Sequence, residues 1–148
     1  MGLWEKRITE QFGYDKVCFM NGGTEGAETA IKFARRWAYD IKKVEDNKAT
    51  VLFPFENYWG RSIAGAASSE DPVRSANFGP MKGFGFDLVE YNNIKALEEK
   101  FKANPNIAAY LVEPIQGDAG VIIPDADYLP KVRELCDKYN VLLIFDEI

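Results

Sequence analysis

Apolar residues fall into two alternating patterns along this chain. Short unbroken runs have strand length: Val17-Cys18-Phe19-Met20, Thr50-Val51-Leu52-Phe53, Phe86 to Glu90, Ala108 to Val112, and Val141-Leu142-Leu143-Ile144-Phe145. Between them the spacing turns helical. Leu3, Trp4, Ile8 and Phe12 predict a short amphipathic helix stopped at Gly13, and Ala27, Ala30, Ile31, Ala34 and Ala38 share one face of a helix reaching about Tyr39. Ile63 to Ala67 reads as a small buried helical turn, and Ile94 to Phe101 as a helix ended by Asn104-Pro105. A last helix is capped by Asp127 and runs to about Tyr139. Lys42 to Lys48 is a solvated connection, and Ser68 to Gly85, rich in Gly, Pro, Ser and Asn, reads as an irregular loop. Strands alternating with helices predict an α/β fold, a mostly parallel sheet with helices on both faces. The unbroken apolar strands agree, because parallel strands are buried on both sides.

Composition narrows the chemistry. The 148 residues are one domain's worth, with no repeat and no linker, and 47% apolar content fills a core. A net charge of -5 without a basic block argues against nucleic acid or an anionic membrane as partner. No apolar run approaches the ~20 residues of a membrane span, and no signal or transit pattern is visible. Cys18 and Cys136 fit reduced, buried thiols of an intracellular protein, with the cytoplasm favoured over the mitochondrial matrix. With no histidine in the chain, imidazole acid–base chemistry and His-ligated metal are excluded. The sequence stops at Ile148, just past an apolar run, so it reads as a piece of something longer.

Ligands of open α/β sheets gather beyond the carboxyl ends of the strands. Four polar clusters share that address: Asn21 to Gly26, Tyr58 to Arg61, Glu113 to Asp118, and Asp146-Glu147. In the first, Gly22 and Gly23 let backbone approach an anion at a helix N-terminus, although an ordinary strand-to-helix turn uses glycine equally well. Tyr58 offers an aromatic face, Arg61 a planar fork for a carboxylate, and Asp146 a partner for a protonated ring nitrogen. Together these suggest a pocket for pyridoxal phosphate. Core aromatics at Tyr58 and Trp59, a surface ion pair at Arg61 and a strand stop at Glu113-Pro114 are the plainer alternatives. Asp146-Glu147 after an apolar strand also suits an ATPase, but the glycine turn carries no lysine. Gly22, Gly23 and Gly26 do not space as a dinucleotide fingerprint.

Met20 to Glu25, Asn57 to Ser62, Phe78-Gly79-Pro80, Val112 to Gly117, Tyr128-Leu129 and Phe145 to Ile148 resemble, in order and nearly end to end, the class III pyridoxal-phosphate aminotransferases. Trp59 beside Tyr58 and the Val112 to Gly117 run are most similar to members acting on ornithine, with acetylornithine or 4-aminobutyrate types as alternatives. The resemblance implies part of the large domain of a fold type I, aspartate-aminotransferase-like transferase. It also implies amino-acid and 2-oxo-acid substrates and a homodimer. Residue by residue, it implies cofactor contacts at Gly22, Gly23, Thr24, Tyr58 and Trp59, and the ring-nitrogen partner at Asp146. It further implies the α-carboxylate anchor at Arg61, a pocket-facing Glu113, and at Asp118 a carboxylate that pairs with a distant arginine and gates the two half-reactions. Several positions depart from the family. Gly22 stands where Ser or Thr is common, Gly26 replaces a frequent Ala, and Asp118 is one methylene shorter than the usual Glu. The cofactor lysine is expected beyond Asp146, and Lys82 matches no such lysine. Residues 1–148 alone are therefore expected to be a non-catalytic fragment of a transaminase.

Overall fold

The structure, a computed structural model, describes residues 2–148. Four parallel strands form one sheet in the order β2-β1-β3-β4, with β1 at Thr50–Pro54, β2 at Phe86–Val89, β3 at Ile107–Val112 and β4 at Leu142–Phe145. β1 and β3 are central, and every residue of β3 is buried. Side chains alternate across the sheet as the strand period requires. Leu52, Tyr110 and Val112 face one core with Leu97, Phe101, Val132 and Cys136, which come from helices α5 (Ile94–Ala103) and α6 (Tyr128–Tyr139). Val51, Phe53, Ala109 and Leu111 face the other core, against Ile31 and Ala34 of α2 (Gly23–Asp40). Helices on both faces of a parallel sheet are the predicted architecture.

Local chemistry explains the helix ends. Gly13, at φ 72°, stops α1 (Gly2–Phe12). Asn93 caps α5 by accepting from the Ala96 amide at 2.9 Å. Asn140 closes α6 in the left-handed conformation, φ 53° and ψ 56°, while the Val141 amide donates to the Cys136 carbonyl at 2.9 Å. α3 (Ile63–Ala67) is the predicted helical turn, with Ser62 accepting from the Gly65 amide.

Three expectations are corrected. Val17 to Met20 forms no strand, because the segment has no strand beside it to accept its backbone bonds; Phe19 and Met20 are exposed, and so, against expectation, is the Cys18 thiol, whereas Cys136 is buried. The loop from Ser68 to Gly85 contains a helical turn, α4 (Pro72–Ser75), started by the Asp71 carboxylate accepting from the Val73 amide at 2.8 Å. Asp127 precedes α6 but does not cap it. Its backbone is already helical, φ -96° and ψ -1°, so the carboxylate cannot turn back to the first amides, and it pairs with Lys131 instead. No helix among the described residues is long and apolar enough to cross a membrane.

Candidate active site

Because the strands are parallel, their carboxyl ends all open on one edge of the sheet, where the chain leaves β1 at Pro54, β3 at Val112 and β4 at Phe145. The α2 N-terminus reaches the same edge. Gly22 is extended, φ -148° and ψ 162°, and no side chain caps the helix. Glu25 reaches back to accept from the Asn21 amide at 3.0 Å. The amides of Gly23, Thr24 and Glu25 have no acceptor among the described residues, as an anion cradle requires.

The loop after β1 lies directly against this helix end. Gly60 is at φ 144°, and a Cβ there would sit 2.2 Å from Thr24 Oγ1, so only glycine permits the approach. A buried hydrogen-bond cluster fixes the loop. Asn57 donates to the carbonyls of Pro54 at 2.9 Å and Ser68 at 2.8 Å, and the Trp59 indole donates to Ser68 Oγ at 2.9 Å. Trp59 borders the main cavity, but its ring stacks on Phe53 at 5.8 Å and is 4% exposed. The structure therefore makes Trp59 a wall behind the site, with its N–H already committed.

Glu113 staples two of the loops. Only 5% exposed, it accepts from the Tyr58 amide at 3.2 Å through one oxygen and from the Gly117 amide at 3.0 Å through the other. Burial raises its pKa, the two amides partly offset this, and the nearby negative charges of Asp146 and Asp118 add to the rise. Tyr91 holds the same turn from below, its hydroxyl 3.1 Å from the carbonyls of both Glu113 and Pro114. Burial, with Tyr128 and Glu113 nearby, pushes the Tyr91 phenol up to about 12.

Asp146 closes the ring. Its amide donates to the Val112 carbonyl at 3.0 Å, and its carboxylate accepts from the Ile148 amide at 3.1 Å. With Glu113, Gly117 and Ile148 it lines a depression of about 330 Å³. A Cβ on Gly23 would lie 3.8 Å from Ile148, so the α2 N-terminus adjoins this depression. Beside it, a cavity of about 430 Å³ is lined by Tyr58, Arg61, Arg74, Phe78 and Asp118 among others. The Arg61 guanidinium lies 5.8 Å from the Tyr58 ring centre and has no acidic partner among the described residues.

The class-III aminotransferase family matches residues 1–148. The chain belongs to that family. It is 54% identical to the probable mitochondrial ornithine aminotransferase of Caenorhabditis elegans over all of its length and 35% of the relative's. It is 49% identical to the mitochondrial ornithine aminotransferase of Rattus norvegicus, again over the whole chain and 33% of the relative. The ornithine aminotransferase of Toxoplasma gondii, crystallised with oxidised glutathione and holding PLP at partial occupancy in its active site, superposes with a TM-score of 0.96 at 47% identity. That match covers 99% of this chain and 34% of the other. The aminotransferase chain thus spans about a third of the length of the relatives it matches.

The residues present in this aminotransferase segment fit a phosphorylated, flat, ring-nitrogen cofactor. Free amides at the α2 N-terminus would suit a phosphate, the Tyr58 ring a flat ring system and the Asp146 carboxylate a protonated ring nitrogen. The predicted residues Gly22, Gly23, Thr24, Tyr58, Arg61, Glu113, Asp118 and Asp146 all lie along this one edge. Sequence reasoning missed Arg74, Ser68 and Tyr91. Arg74 carries no local signal beyond the Asp71-Pro72 start of α4, and Ser68 lies in an apparently irregular loop.

Proposed function

We propose that this chain supplies the cofactor- and substrate-binding part of an ornithine δ-aminotransferase, which converts ornithine and 2-oxoglutarate to glutamate 5-semialdehyde and glutamate. The single observation that carries the reading is the convergence of the four loops on one edge, with Gly60 packed bare against Thr24. Gly22, Gly23 and Thr24 hold the phosphate of pyridoxal phosphate, Tyr58 lies against its ring, and Asp146 keeps the ring nitrogen protonated. The cofactor, when bound, supplies an electron sink. Arg61 receives the substrate α-carboxylate through its fork. Glu113, engaged by two backbone amides, orients the Tyr58 and Gly117 loops. Asp118 gates the site between its two substrates, and Trp59 backs the ring-stacking loop.

The cofactor lysine belongs to chain outside this segment. Lys82 is exposed and lines neither cavity, so residues 1–148 alone are proposed to be inactive, and the working protein to be a homodimer. We place it inside the cell. The mitochondrial names of the animal relatives favour the mitochondrion. The deciding experiment loads the full-length protein with pyridoxal phosphate and offers ornithine, acetylornithine and 4-aminobutyrate with 2-oxoglutarate. Ornithine is expected to be the preferred donor; preference for either rival, or no transfer from any, overturns the assignment.

A further inference from the structure

Asp118 stands on a loop whose shape its own residues do not favour. Gln116 and Ile122 exchange two backbone hydrogen bonds, at 3.0 and 2.9 Å, and so close a neck around Gly117 to Val121. Inside it the amides of Gly120 and Val121 both donate to the Gly117 carbonyl, at 3.1 and 3.2 Å. To make this turn the backbone takes positive φ at Gly120, 114°, and at Val121, 60°. Glycine adopts such angles freely, whereas a β-branched residue is strained there. Val121 gains little by burial in return, since it is 68% exposed. Strain of this kind persists only where the surroundings over-determine the backbone.

The hold comes from the neck. Gln116 is 1% exposed, and its side-chain amide donates to the Phe55 carbonyl at 2.8 Å, where the chain leaves β1. The Glu113 carboxylate adds the Gly117 amide from within the same turn. Across the neck, Ile122 and Ile123 are exposed. At the tip, the Asp118 carboxylate accepts from Arg74, which also lies 3.4 Å from Asp71. That ion pair is partly in solvent and holds weakly. Phe55 stands three residues before Tyr58, so the Gln116 contact fixes the loop of Asp118 against the loop of Tyr58. Both residues line the larger cavity.

We propose that Gln116 is a positioning residue: its contact with Phe55 latches a strained loop and so sets where Asp118 stands in the cavity. This rests on the proposed aminotransferase reading, in which Asp118 gates the site.

The test uses the full-length, cofactor-loaded protein and begins with Gln116→Met, similar in length but unable to donate. Hydrogen–deuterium exchange at the Gly120, Val121 and Ile122 amides is expected to quicken about fivefold, the weight of one hydrogen bond, while β1 and β3 stay protected. KM for ornithine rises by a similar factor, and pyridoxal-phosphate affinity is unchanged. In an Asp118→Ala background Gln116→Met adds no further rise in KM, because the two residues act as one. Adding Val121→Asn, which accepts the left-handed backbone, restores both loop exchange and KM most of the way. Gln116→Asn, one methylene short of Phe55, repeats the pattern, so a packing defect in the methionine variant does not shield the proposal. If KM stays at the wild-type value, if its rise adds to that of Asp118→Ala, or if Val121→Asn rescues nothing, Gln116 is merely structural. Absence of ornithine turnover in the wild type would overturn the activity reading instead, while loop exchange and its rescue by Val121→Asn would still decide the latch.

Discussion

Residues 2–20 and residues 50–62 have similar sequence patterns, each an apolar run beside a glycine-bearing polar turn, and they end in opposite conditions. β1 lies between β2 and β3, and Val51, Leu52 and Phe53 are fully buried. The loop beyond it is fixed by Asn57, Trp59 and Ser68. α1 buries no residue, with Leu3 82% and Trp4 64% exposed, and the run after it pairs with nothing among the described residues. An apolar period fixes local conformation, whereas burial depends on what lies alongside.

The largest break in this contrast is Phe53→Ala. Phe53 stacks on Trp59 and meets Phe86 edge-on at 5.0 Å, so its loss opens a cavity directly behind the Tyr58 loop. A destabilisation of about 3–5 kcal/mol is expected in denaturant unfolding of the full-length protein. Gly60→Ala comes next. Its Cβ would meet Thr24 at a backbone angle that L residues rarely adopt, and about 1–3 kcal/mol should be lost. Cofactor affinity should fall with it, because the two loops must separate; unchanged affinity would mean that the Thr24–Gly60 contact does not shape the site.

Glu113→Gln acts through pH. Burial raises the folded-state pKa of Glu113 above its ordinary value of 4.5, so in that window the folded protein holds more protons than the unfolded. Wild-type stability should therefore fall as pH rises from about 4.5 through the raised value. The Gln variant should lack this slope in unfolding midpoints measured across the range. Trp4→Ala should do least. Its side chain is mostly in solvent, and a change within about 0.5 kcal/mol is expected. A larger loss would show that α1 is packed in the full-length protein.

The central strands at 50–54 and 107–112 are legible in the sequence because parallel strands buried on both faces are almost wholly apolar, and the edge strands at 86–89 and 142–145 because they stay mostly apolar, although half-buried and, at Asp87, charged. The Val17–Met20 run has the same composition and misleads, since pairing is a property of neighbours. The site residues are legible for a topological reason: in a parallel sheet the loop after each strand is delivered to one edge. The pairing of Arg74 with Asp118 is invisible in the sequence, joining residues that no local spacing relates. Trp59 is visible as an aromatic but its side of the wall is not, because that depends on Ser68 and Phe53.

If these strand-end loops make one cofactor site with Asp146 at its heart, Asp146→Asn in the full-length protein should disable it. Asparagine keeps the shape and removes the charge that holds a ring nitrogen protonated. Native circular dichroism and retained pyridoxal-phosphate absorbance are expected, with ornithine turnover lower by roughly 100-fold or more, the kinetic equivalent of about 3 kcal/mol. Turnover near wild type, with fold and cofactor intact, would contradict such a site.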